Sequence, residues 1–102
     1  MKELTTKDFT STIAKGNTVV DFWAPWCGPC KMLGPVFEET SKGHKDTVFA
    51  KVNVDDQGAV AEQLGVRGIP TIIFFKDGKE IMRHVGFADK NSLDTKIKHA
   101  FK

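Results

Sequence analysis

The chain has 102 residues, 40% of them hydrophobic and 27% charged, with eight Phe, two Trp and a net charge of +2. That length suits one domain, residues 1–102, with a single hydrophobic core and excludes two. The small, dispersed charge gives no basis for binding nucleic acid or an anionic membrane, and no apolar run is long enough to span a bilayer. The N-terminal "MKELTTKDFT" lacks the apolar stretch of a secretory leader, so the expected location is the cytoplasm.

The first predicted helix follows Thr5, where "TTKD" supplies a capping hydroxyl and, three residues on, a carboxylate. Phe9 and Ile13 share its apolar face and Gly16 ends it. "TVVDFWA" (18–24) is apolar on both alternating faces except at Asp21, the pattern of a central strand covered on both sides. A second helix is predicted from about Pro29, since proline suits a first helical position, to just before Gly43. Met32, Leu33, Val36 and Phe37 are its apolar residues, and Pro35 inside it removes one backbone hydrogen bond and predicts a kink.

"TVFAKVNV" (47–54) reads as a strand, and Gln57 to Leu64 as a short helix stopped by Gly65. "TIIFF", Asp77-Gly78 and "EIMRHVG" form a hairpin signal, because Asp-Gly suits a type I′ turn. Asp89 can cap a last helix that carries Leu93, Ile97 and Phe101 at four-residue spacing. Strands separated by helices imply parallel pairing, and the hairpin adds an antiparallel part. The expected fold is therefore α/β, a central mixed sheet with helices on both faces.

The only two cysteines, Cys27 and Cys30, lie within "WCGPC" (26–30) and straddle the predicted start of the second helix. A first helical turn brings such a pair close to disulfide distance. At the cap position Cys27 would also meet unpaired N–H groups and the positive end of the helix dipole, which lower a thiol's pKa. Two other readings compete. A zinc site would need two of His44, His84 and His99 at unhelpful spacings. A structural disulfide would close too small a loop to restrict the unfolded chain much, and reducing compartments disfavour it. Redox chemistry is the favoured reading. The three histidines read as surface residues.

"DFWAPWCGPCKM" (21–32) resembles the active-site segment of the thioredoxin family, and the likeness continues through Pro35, Lys51, "VRGIPTIIFFKDG" (66–78) and Gly86. The resemblance implies the thioredoxin fold and a reductant of protein disulfides. Cys27 would attack the target disulfide and Cys30 would resolve the mixed disulfide. The oxidised pair would then be reduced by thioredoxin reductase at the expense of NADPH, with no cofactor bound to the chain itself.

The same likeness implies that Asp21 lies beneath the second cysteine and assists proton transfer, with Lys51 tuning its charge. It makes Pro70 cis beside the disulfide and gives the Ile69 backbone a role in pairing with an extended substrate. It places Trp26 on a partly exposed rim and Trp23 in the core, lets Gly28 and Pro29 help set the potential, and makes Gly86 a flat surface for partners. Pro25 and Gly34 depart from the commonest family pattern, and neither is expected to touch the chemistry. An oxidant or isomerase of an export compartment, and a non-enzymatic scaffold, are the competing functions. The missing leader and Gly28-Pro29 argue against the first; the intact dithiol, Asp21 and Pro70 argue against the second. A monomer is expected.

Overall fold

A computed structural model describes residues 1–102. Its centre is strand β2 (Asn17–Trp23), which pairs in parallel with β3 (Thr47–Asn53) on one side and antiparallel with β4 (Thr71–Lys76) on the other. β4 continues into β5 (Lys79–Val85) through the Asp77-Gly78 turn, where both residues have positive φ, 48° and 86°, as a type I′ turn requires. A register shift at Phe74/Phe75 introduces an irregularity between these two strands. A two-residue strand β1 (Lys2–Glu3) adds in parallel to the outer edge of β3, giving the order β1-β3-β2-β4-β5. The sequence reading contains no β1, because two charged residues carry no periodicity.

The strands alternate between the two faces of the sheet, so the apolar core lies in two layers, as the doubly apolar pattern of β2 predicts. Val20, Phe22, Ala50, Val52, Ile73 and Phe75 pack under α1 (Phe9–Ile13) and α3 (Gly58–Gln63). Val19, Phe49, Ile72 and Phe74 pack under α2 (Gly28–Ser41) and α4 (Lys90–Ala100), which contribute Leu33, Phe37, Leu93 and Ile97. The helices thus cover both faces, as expected for the thioredoxin fold.

Local chemistry accounts for most element ends. Thr5 N–H bonds Asp8 Oδ1 at 2.7 Å, so the carboxylate in "TTKD" does reach back, but α1 starts only at Phe9, after a turn. Asp89 Oδ1 accepts from Ser92 N–H at 2.8 Å and caps α4. Phe101 lies just past the end of α4 rather than within it, still packed near Phe74. α2 runs unbroken through Pro35.

One expectation needs correction. His99 is exposed and His84 half-exposed at the surface, but His44 is largely covered. The His44 ring lies against Phe49 and its Nε2 is 2.8 Å from Asp94 Oδ1, tying the loop after α2 to α4. No helix is long and apolar enough to cross a membrane.

Candidate active site

Between β2 and α2 the chain turns at Pro25 and Trp26, and the Cys27 N–H returns to the Ala24 carbonyl at 3.2 Å. Cys27 is the N-cap of α2, extended at φ −85° and ψ 113°, with Gly28 and Pro29 opening the helix. Proline is tolerated there because its missing N–H would have no intrahelical partner. The Cys30 N–H donates to Cys27 Sγ at 3.2 Å, so a sulfur does what a Ser or Asp oxygen does at an ordinary cap. Cys27 and Cys30 are joined as a disulfide with Cα atoms 5.2 Å apart, and both residues are nearly buried. On reduction, the same N–H and the positive end of a 14-residue helix favour a thiolate at Cys27 over one in water.

A second loop faces the sulfur. Cys27 Sγ lies 3.7 Å from the Ile69 carbonyl oxygen, in the segment that enters β4 through the cis Ile69–Pro70 peptide. That segment is tied down from two sides. Thr71 Oγ1 donates to the Gly68 carbonyl, and the Gly86 N–H donates to the Pro70 carbonyl at 2.8 Å. Gly86 has φ +99°, in the region that favours glycine, and a Cβ there would meet nothing within 4 Å. Trp26 is 68% exposed, its Nε1 donating to both oxygens of Asp55 at 3.0 and 3.2 Å. Trp26, the disulfide, Ile69-Pro70 and Gly86 therefore come together at one end of the sheet.

Asp21 is fully buried, and neither of its carboxylate oxygens has a protein hydrogen-bond partner. It projects from β2 on the same face as Val19, beneath α2, whose buried residues begin with Cys30 and Leu33. Desolvation pushes its pKa up from 3.8 to about 7, against the opposing pull of Lys51 and with a further push from Glu3. Lys51 is its register partner on β3. The Lys51 ammonium lies 4.5 Å over the Trp23 ring, whose Nε1 donates to Glu3 Oε1 at 3.3 Å. Trp23 is half-buried against the dithiol cluster rather than fully in the core.

Gly34, the departure in α2, lies beside this group: a Cβ there would sit 3.9 Å from Lys51 Nζ. A cleft of about 620 Å³ is lined by Cys30, Gly34, Trp23, Lys51 and Glu3 among others, so the absence of a side chain at Gly34 does bear on the site's surroundings. Asp55 and Glu3 are the participants that sequence reasoning missed. Both are acidic residues in ordinary polar stretches, and only the fold brings them to the tryptophans.

The family model that matches this chain is that of thioredoxin, over residues 1–99. The chain belongs to the thioredoxin family. The thioredoxin of Chlamydia caviae is 52% identical over 93 residues, covering 91% of each chain. That of Mycoplasmoides gallisepticum is 45% identical over 100 residues, covering 96% of this chain and all of the relative. Among solved structures, a Plasmodium falciparum thioredoxin superposes with a TM-score of 0.91 at 36% identity, covering 97% of this chain and 98% of that one. A Malassezia sympodialis thioredoxin gives 0.89 at 39% identity, covering 99% and 93%.

Thioredoxin homology and the cysteine pair at the start of α2 make the chain a protein-disulfide reductant, an oxidoreductase whose reactive group is its own dithiol. Proteins of the thioredoxin family need no bound cofactor, and their partners are disulfide-containing proteins and a reductase.

Proposed function

We propose that Cys27 is the attacking thiol and Cys30 the resolving one. The reading rests on the Cys30 N–H directed at Cys27 Sγ, which favours negative charge on the first sulfur. In the first step Cys27 S⁻ bonds to one sulfur of the target disulfide, and the other sulfur leaves as a thiolate that takes a proton from solvent. In the second, Cys30 loses its proton and its sulfur bonds to Cys27 Sγ, releasing the remaining target sulfur as a thiolate. The target gains two electrons and the chain is left with the Cys27–Cys30 disulfide. Asp21, buried below α2 and titrating at about 7, accepts the Cys30 proton, and Lys51 moderates that affinity.

The target segment lies extended across Trp26, Gly28, Pro29, Pro70 and Gly86 and pairs with the Ile69 backbone. Strand-like pairing of this kind binds many sequences without reading their side chains. Thioredoxin reductase, drawing on NADPH, returns the pair to the dithiol. The chain works as a cytoplasmic monomer, residues 1–102 forming a single domain.

Trapping the mixed disulfide tests the order of attack. Cys30→Ser, mixed with an oxidised protein target, should accumulate a covalent adduct on a non-reducing gel, whereas Cys27→Ser should not. Adduct formation as fast with Cys27→Ser as with Cys30→Ser would overturn the assignment.

A further inference from the structure

Register places three charged residues in one row across the sheet. Glu3 of β1 is aligned with Lys51 of β3, and Lys51 with Asp21 of β2, so the three side chains project from the same face beneath α2. The row continues through the uncharged Ile72 of β4 to His84 at the far edge. From above, α2 presents Cys30, held in the disulfide, and the apolar Leu33 and Phe37, while Lys31 and Glu38 stand at the mouth of the cleft. The charges bearing on Asp21 are therefore chiefly Lys51 beside it and Glu3 one strand further out.

Trp23 couples the two. Its indole N–H donates to Glu3 Oε1 at 3.3 Å while the Lys51 ammonium lies 4.5 Å over the ring face. A carboxylate that accepts from the indole N–H pushes electron density into the ring and makes its face a better seat for a cation. The Leu4 N–H donates to the Lys51 carbonyl at 2.7 Å and holds β1 in this register. Lys51 thus stands between two carboxylates, one fully buried and one exposed at the cleft.

We propose that Glu3 is a positioning residue for the dithiol chemistry, holding Lys51 on the Trp23 face and dividing the field of its ammonium between the sheet edge and Asp21. This rests on the reading of Asp21 as the proton acceptor for Cys30. Without Glu3, Lys51 attends Asp21 alone and the outer negative charge is gone; both changes favour ionised Asp21. Loss of the outer charge, two strand spacings or about 10 Å away, corresponds at an effective dielectric between protein and water to about half a pH unit, and the release of Lys51 towards Asp21 adds to it.

The test is Glu3→Gln in the full chain, which keeps an oxygen for the Trp23 N–H but removes the charge. Two quantities are read: the Asp21 carboxyl titration by ¹³C NMR of the oxidised protein, and the pH profile for reduction of a protein disulfide. Both midpoints should fall by more than the direct half unit. Glu3→Asp should restore them, and Lys51→Met should move them upward. In the Lys51→Met background only the direct half unit should remain, so Glu3→Gln should shift the Asp21 titration less than in the wild-type background. An unmoved titration in Glu3→Gln, or an equal shift in both backgrounds, would overturn the proposal. Asp21→Asn separates the two ideas. If its rate profile keeps the wild-type inflection, the proton-acceptor reading of Asp21 falls, and the NMR titration still judges Glu3.

Discussion

Replacing Asp21 by Asn should stabilise the protein at alkaline pH and do almost nothing at pH 4. The carboxyl is fully buried, and its pKa is raised from 3.8 to about 7. A native-state pKa above the unfolded one means that the native protein holds the extra proton between these values, so stability falls as pH rises from about 4 to about 7. A difference of roughly three units at about 1.4 kcal/mol per unit gives a cost of about 4 kcal/mol once Asp21 is ionised. That is a large fraction of the ~5–15 kcal/mol that holds a small domain folded. Asn has the shape of the protonated acid and leaves the same orphaned polar atoms, so the gain should approach the whole of this cost above pH 8. Urea unfolding of the oxidised protein and its Asp21→Asn variant at pH 4, 6 and 8.5 measures it. A gain that is the same at all three pH values, or a loss at pH 8.5, would refute the reasoning, since neither can come from the ionisation of a buried acid.

Two further outcomes concern the scaffold. Phe37→Ala removes a fully buried ring that lies 5.1 Å, centroid to centroid, from Phe49 under α2, and should cost about 3–5 kcal/mol in the same unfolding measurement. Asp89→Ala removes the 2.8 Å cap on the Ser92 N–H and should cost about 1 kcal/mol, with Asp89→Ser recovering most of it.

The elements with strong periodicity were legible from sequence. The doubly apolar 18–24 segment, the Asp77-Gly78 hairpin and the Asp89-capped helix each carry a local physical signal, and each appears with ends within a few residues of those expected. The cysteines were legible because the cap position itself implies the N–H···S contact. What failed was non-local. β1 exists because Lys2 and Glu3 meet the edge of β3, and nothing in the two residues announces a strand. His44 looks like a surface histidine until α4 brings Asp94 to it. Glu3 is likewise unremarkable in sequence; it belongs to the site only through a register fixed by residues about fifty positions away.

The sheet has two edges, and they are defended differently. β1 is only two residues long, and β5 carries Lys79, Glu80 and Arg83, with an irregular register against β4. Arg83 is fastened to Glu80 and to the Leu64 carbonyl, which keeps charge fixed along that edge. Short, charged and irregular edges are poor templates for another strand. With both sheet borders short, charged or irregular, unpaired strands find little along them to extend.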